Sequence, residues 1–285
     1  MTNPFDTPRP RGTRLLQGTL RVIVALQCWG TAAARIHQHE ESPVQQLLEN
    51  AYAMQASQVA YLQDSVAYFL IFAGLITLFR PAWLLLIPIL IWHALTASCV
   101  PIYGTGWLDM LWPIEQAPLF IAPLSLMLID FWPPDIKTSL ILTRSAASLL
   151  QLATAATFLV HGGKLVTAET PPEVLTRLIE FATRHMSWSD LDEGIVRHVV
   201  QFIGIAEVAA GVAFLSSRNR MVAVLLVAWG LVSTLLFALV HRGAGYHTSL
   251  ILAGTWGAPL FVLQFWLCTI AEQPPNYLPE EVDTE

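Results

Sequence analysis

The chain has 285 residues, of which 54% are hydrophobic and only 13% charged. With a mean hydropathy of +0.54 it departs from soluble domains, in which charged residues make up about 25%. A net charge of −6 and the lack of any long basic block exclude nucleic acid as an expected partner.

A bilayer core of about 30 Å needs roughly 20 apolar helical residues. Eight segments meet that requirement, at about 15–36, 57–79, 81–99, 108–130, 138–160, 196–215, 219–240 and 247–269. Helices are expected because each span then satisfies its own backbone in lipid. Arg9, Arg11 and Arg14 before the first segment, and Gly30-Thr31-Ala32-Ala33-Ala34 at its end, also fit a signal peptide. A retained helix is preferred because this segment has a counterpart in the second half. In the third segment Pro81 suits a first turn and Pro88 a kink. The two longest connections, about 37–56 and 162–195, are too polar to insert. Each has a proline at a helix start (Pro43, Pro171) followed by apolar residues at three- and four-residue steps. They are expected to form short amphipathic helices on one membrane face.

Lys and Arg in short loops set orientation. Arg9, Arg11, Arg14, Arg80, Lys137, Arg218 and Arg220 fall on one side, which places both termini in the cytoplasm of a multi-pass membrane protein. The chain then divides into a tail (1–14), a first unit (15–130), a linker (131–137), a second unit (138–270) and an acidic tail (271–285) expected to be disordered.

The two units match at landmarks in the same order. Leu20-Arg21 pairs with Thr143-Arg144, Ala73-Gly74-Leu75 with Ala210-Gly211-Val212, and Trp92 with Trp229. Gly104-Thr105-Gly106-Trp107 pairs with Gly243-Ala244-Gly245-Tyr246, and Ala117-Pro118-Leu119-Phe120 with Ala258-Pro259-Leu260-Phe261. Gly74 to Gly211 and Trp92 to Trp229 are both steps of 137 positions. Five weak matches in order point to duplication of a four-helix unit. Four helices is an even number, so the two units share one orientation, related by an axis near the membrane normal.

Arg144 opens the first helix of the second unit, which ends in His161-Gly162-Gly163-Lys164; the next helix carries Glu207-Val208-Ala209-Ala210-Gly211. This pattern resembles the DoxX-like membrane domain, a superfamily that includes the DoxD small subunit of thiosulfate:quinone oxidoreductases. The resemblance covers most of 138–269. It implies an all-α integral membrane fold of two tandem four-helix bundles, and membership of a quinone-linked redox system. The first unit resembles the same domain more faintly. It keeps Arg21 but has Leu70 where Glu207 falls, and it lacks the His-Gly-x-x-Lys turn.

Ionisable residues at membrane depth are costly and usually face protein or water. Glu207 and Arg144 reach similar expected depths, so they are expected to pair, with Arg144, Ser148 and Gln151 forming a stripe that faces the bundle interior. Such a pair either fixes helix packing or serves as a proton relay or quinone-headgroup contact. In the first unit Arg21 has no evident intramembrane acid and is expected to snorkel or bind a lipid phosphate. His161, His198, His241 and His247 fall near the outer ends of their spans, with Lys164 and Gln201 beside them. Imidazoles there are either ordinary interfacial residues or the lining of a quinone, metal or haem site. No specific metal motif is present, and Cys28, Cys99 and Cys268 form no CxxC pair and read as small buried hydrophobes. His93, alone on an apolar helix, is expected to bond a neighbouring helix backbone, with Asp109 and Glu115 as partners for it or for Arg35.

Three functions follow as expectations. One is a membrane subunit of a quinone-linked redox system with a redox partner. Another is a non-catalytic anchor or assembly module for a soluble partner or for a second copy of the chain. The third is a small-solute transporter working through the interface between the units.

Overall fold

The computed structural model describes residues 12–39, 41–103, 107–130, 140–167, 193–240, 243 and 245–270. Its helices are α1 (Thr13–Gln38), α2 (Pro43–Asn50), α3 (Ala56–Phe79), α4 (Trp83–Tyr103), α5 (Trp112–Glu115), α6 (Ala117–Ile129) and α7 (Leu140–Thr167). The remainder are α8 (Glu193–Ser216), α9 (Arg220–Val240), α10 (Tyr246–Ile251) and α11 (Ala253–Ile270). No strand occurs among the described residues.

Among the described residues, seven helical segments are long and apolar enough to cross a membrane: Ala56–Phe79, Trp83–Ile102, Asp109–Ile129, Leu140–Thr167, Gly194–Ser216, Arg220–Val240 and Tyr246–Cys268. The chain is therefore an all-α, multi-pass membrane protein whose solvent is the bilayer. Large apolar side chains such as Phe72, Phe79, Phe202, Met221 and Leu239 lie exposed on α3, α8 and α9, as a lipid-facing surface requires. The first expected span, α1, is not among the seven. It is long enough, but it carries Arg14, Arg21 and Arg35 and buries the polar Gln27.

Sequence explains most of the ends. Ser42 caps α2, its Oγ accepting from Gln45 N–H at 3.2 Å, and Pro43 occupies the first turn, where its missing N–H costs nothing. α4 runs on through Pro88. The fourth apolar segment is broken at Gln116, ahead of Pro118, which has no N–H to donate to the preceding turn. The last is broken at Leu252. α7 extends to Thr167, seven residues past its expected end at 160. The amphipathic helix expected around 171–179 lies outside the described residues.

Four helices make the centre. α1 packs on α3 and α6, and equally on α10 and α11. α7 repeats that pattern, packing on α8 and α11 and on α5 and α6. α4 lies on α6 as α9 lies on α11. Leu16, Leu20, Ile23, Val24 and Cys28 of α1 are fully buried at helical spacing, and so are Ala258, Phe261 and Val262 of α11. The α1 contacts with α10 and α11 are close enough to require glycine. A Cβ on Gly30 would lie 2.6 Å from Ile251 N, and one on Gly257 would lie 2.5 Å from the Ile23 side chain.

Candidate functional site

The tightest helix crossing in the second unit is between α7 and α8. A Cβ on Gly162 would stand 2.5 Å from Gly204 O, and one on Gly204 would stand 2.6 Å from Gly162 O. With no side chain on either residue the two backbones touch, and the neighbouring side chains are drawn together. His161 Nδ1–H donates to Glu207 Oε2 at 2.6 Å. The second carboxylate oxygen, Oε1, accepts from the indole Nε1–H of Trp229 on α9 at 2.7 Å. The Glu207 side chain is 5% exposed and that of His161 is 43% exposed. Thus both Glu207 oxygens are hydrogen-bonded within apolar helices, which offsets the cost of a buried carboxyl group. The imidazole faces outward and keeps Nε2 free of partners among the described residues.

One turn further along α7, Lys164 forms an ion pair with Glu115 of α5. Its Nζ also lies 5.0 Å from the centre of the Trp112 ring. Thr157 Oγ1–H donates to Glu115 O at 2.9 Å, tying α5 to the same helix. Because 157, 161 and 164 are four and three residues apart, all three share one face of α7. Trp229, Glu207, His161, Lys164 and Glu115 therefore form a polar line across α9, α8, α7 and α5. From Glu207 to Glu115 it runs acid, base, base, acid, so a proton gained at one group changes the field at the next.

Several expectations are corrected. Arg144 does not meet Glu207. On α7 it lies 17 residues from His161, about 25 Å along the axis. Arg144 and Ser148 are exposed, so the stripe they begin faces outward; at its far end Gln151 Nε2–H donates to Phe214 O at 2.7 Å. Arg21 neither snorkels freely nor lacks an acid. Its Nε–H donates to Asp130 Oδ2 at 2.5 Å, and its Nη1–H caps α3 at Phe79 O, 3.1 Å away. The step of 137 maps Leu78 onto Leu215. Arg21 bonds the carbonyls of 78 and 79 while Gln151 bonds those of 214 and 215, so Gln151, not Arg144, stands in the place of Arg21.

Of the expected outer cluster, the structure joins His161 and Lys164 to the Glu207 network. His198 is exposed, its Nδ1–H turned back to Gly194 O at 2.6 Å, and Gln201 is half-buried on the same helix. His247 sits at a different crossing, buried where α10 meets α1 at Gly30. His241 lies outside the described residues. Glu115 bonds Lys164 rather than His93 or Arg35, and Arg35 pairs instead with Asp64 at 2.7 Å. His93 is buried, and its Nε2 has no partner among the described residues. Cys28 and Cys99 are buried and free, as small hydrophobes are. Sequence reasoning missed Trp229 as a site residue, although its counterpart Trp92 had marked the position. It also missed Asp130, at the end of α6, and Asp64, inside α3.

No family model, curated protein or solved structure matches the chain.

Proposed function

We propose that the chain is a DoxX-like membrane protein of eight spans, α1 being the eighth, built by duplication, with both termini cytoplasmic. We further propose that its second unit serves a quinone-linked redox system as a proton-handling membrane subunit. The observation that carries this reading is the His161–Glu207 bond at 2.6 Å, held at membrane depth and steadied by Trp229. Reducing a quinone to its quinol consumes two electrons and two protons. A partner subunit of the system supplies the electrons. His161, when protonated on both ring nitrogens, can give the Nε2 proton to a quinone oxygen and keep the Nδ1–H bond to Glu207; reprotonated at Nε2 from water, it supplies the second proton in the same way. Glu207 stabilises the imidazolium before transfer and orients the ring during it. Lys164, held by Glu115, adds a fixed positive charge one turn away, which favours the negative charge that develops on a reduced quinone.

The test is extraction of the intact protein with its native lipid, followed by quantification of co-extracted quinone and of proton-coupled quinone reduction in the presence of its partner. Quinone at about one per chain, lost with His161→Ala, supports the reading. Glu207→Gln should assemble normally and lose turnover. A quinone-free preparation that holds a soluble protein would favour the anchor reading, and solute counterflow in liposomes would favour transport.

A further inference from the structure

The place in the first unit that corresponds to the Glu207 network is a cavity. Leu70 precedes Gly74 by four residues as Glu207 precedes Gly211, and Trp92 corresponds to Trp229. Gly74 meets α1 at Cys28 and Trp29, and Gly211 meets α7 at Ala155 and Leu159. That register sets Thr31 where the second unit has His161 and Ala34 where it has Lys164. Thr31, Ala34, Leu70 and Trp92 all line a cavity of about 150 Å³ between α1, α3 and α4, roofed by the start of α2. Replacing a carboxylate by leucine and an imidazole by threonine leaves space that the second unit fills with its hydrogen-bonded pair.

The cavity also contains an unsatisfied group. Gln63 is 4% exposed and lines the cavity, and its Nε2, itself buried in the wall, has no hydrogen-bond partner among the described residues. A buried amide in that state is costly, and a ligand that accepts its hydrogen bond relieves the cost. The neighbouring hydroxyls do not compete for it. Thr31 Oγ1–H donates to Gln27 O and Thr96 Oγ1–H to Trp92 O, both at 2.9 Å and both within their own helices. Charge selects the ligand further. Arg35 at the rim is already paired with Asp64 at 2.7 Å, and Glu41 adds a second acid to the lining. One cation against two anions disfavours an anionic ligand. Size is informative as well, because an apolar cavity of about 150 Å³ accommodates a benzene ring. α3 and α4, which border this space, touch only sparsely.

We propose that this cavity is a binding site for a neutral, ring-sized molecule bearing a carbonyl. Its ring packs on Trp92 and Leu70, and rotation of the Gln63 amide toward the opening lets its oxygen accept from Nε2–H. The site is separate from the His161–Glu207 pair and does not depend on the redox reading.

The test uses 4-fluoroacetophenone as probe and the full chain in nanodiscs, with binding read by fluorine NMR against empty nanodiscs. One saturable site per chain is expected. Ala67→Phe, which fills the cavity, should abolish it, and Ala34→Leu is the second filling variant should the first fail to fold. Gln63→Leu should weaken binding about tenfold, the worth of one hydrogen bond. Glu207→Gln should leave it unchanged, and 4-fluorobenzoate should not bind saturably. Absence of a saturable component, its survival in both filling variants, tighter binding of the benzoate, or its loss in Glu207→Gln would each overturn the proposal.

Discussion

The two units put different things in the same place. In the second, Glu207, His161 and Trp229 close a hydrogen-bonded knot between three helices. In the first, Leu70, Ala34, Thr31 and Trp92 surround an opening of about 150 Å³. The tryptophan persists on both sides, but its partner changes from a carboxylate to a leucine. Positions matched by sequence therefore carry a polar network in one half of the chain and a cavity in the other. The difference teaches that the glycine contacts and the tryptophan belong to the scaffold, while the acid and the imidazole are additions to it.

That comparison is broken most severely by making the second unit resemble the first. Glu207→Leu strips both His161 and Trp229 of their acceptor, and the expected loss is about 3 kcal/mol, together with all proton-coupled activity. Thermal unfolding in detergent and turnover measure the two effects. The reverse graft sharpens it. Leu70→Glu alone should cost about 2–3 kcal/mol, because it buries a carboxyl group without a basic partner. Adding Thr31→His should return about 1 kcal/mol of that, read as the coupling energy in a double-mutant cycle. No coupling with this histidine would mean that the units are not superimposable at this point. Gly204→Ala places a Cβ where Gly162 O stands, and it should cost about 1–3 kcal/mol by forcing α7 and α8 apart. The same variant should lengthen the His161–Glu207 bond, which shows as an altered imidazole signal in nitrogen NMR. Trp229→Phe keeps the ring and removes one donor, for about 1 kcal/mol and a partial loss of turnover. At the small end, Arg144→Ala should leave both unfolding midpoint and turnover unchanged, since Arg144 is exposed and far from Glu207.

Much of this was legible in the sequence. Long apolar segments reveal spans because lipid demands them, and Glu207 stands out because an acid in such a run needs a reason. Its partner was not legible. Depth along a helix is readable from one segment, but register between two helices depends on where their backbones cross. Here that crossing is at Gly162 and Gly204, whose contact exists only once the chain folds. The same limit misplaced Arg21. Its acid, Asp130, lies at the end of α6, 109 positions away, and hydropathy reads it as a boundary residue. The extra turns of α7 beyond residue 160 carried His161 and Lys164 from a supposed loop edge into the helix, and so placed both on the face with Thr157.

The crossing of α1 with α10 at Gly30 and Ile251 has a consequence for biosynthesis. These positions are 221 residues apart, and a ribosome adds about 5–20 residues per second. The first helix therefore waits on the order of ten to forty seconds for the neighbour that completes its surroundings. During that interval Gly30, Ile23 and Gln27 face something other than their final partners. Nascent chains arrested before residue 246 should leave that side of α1 open to cysteine-directed labelling from Ile23→Cys. The label should be excluded once the last segment has been released.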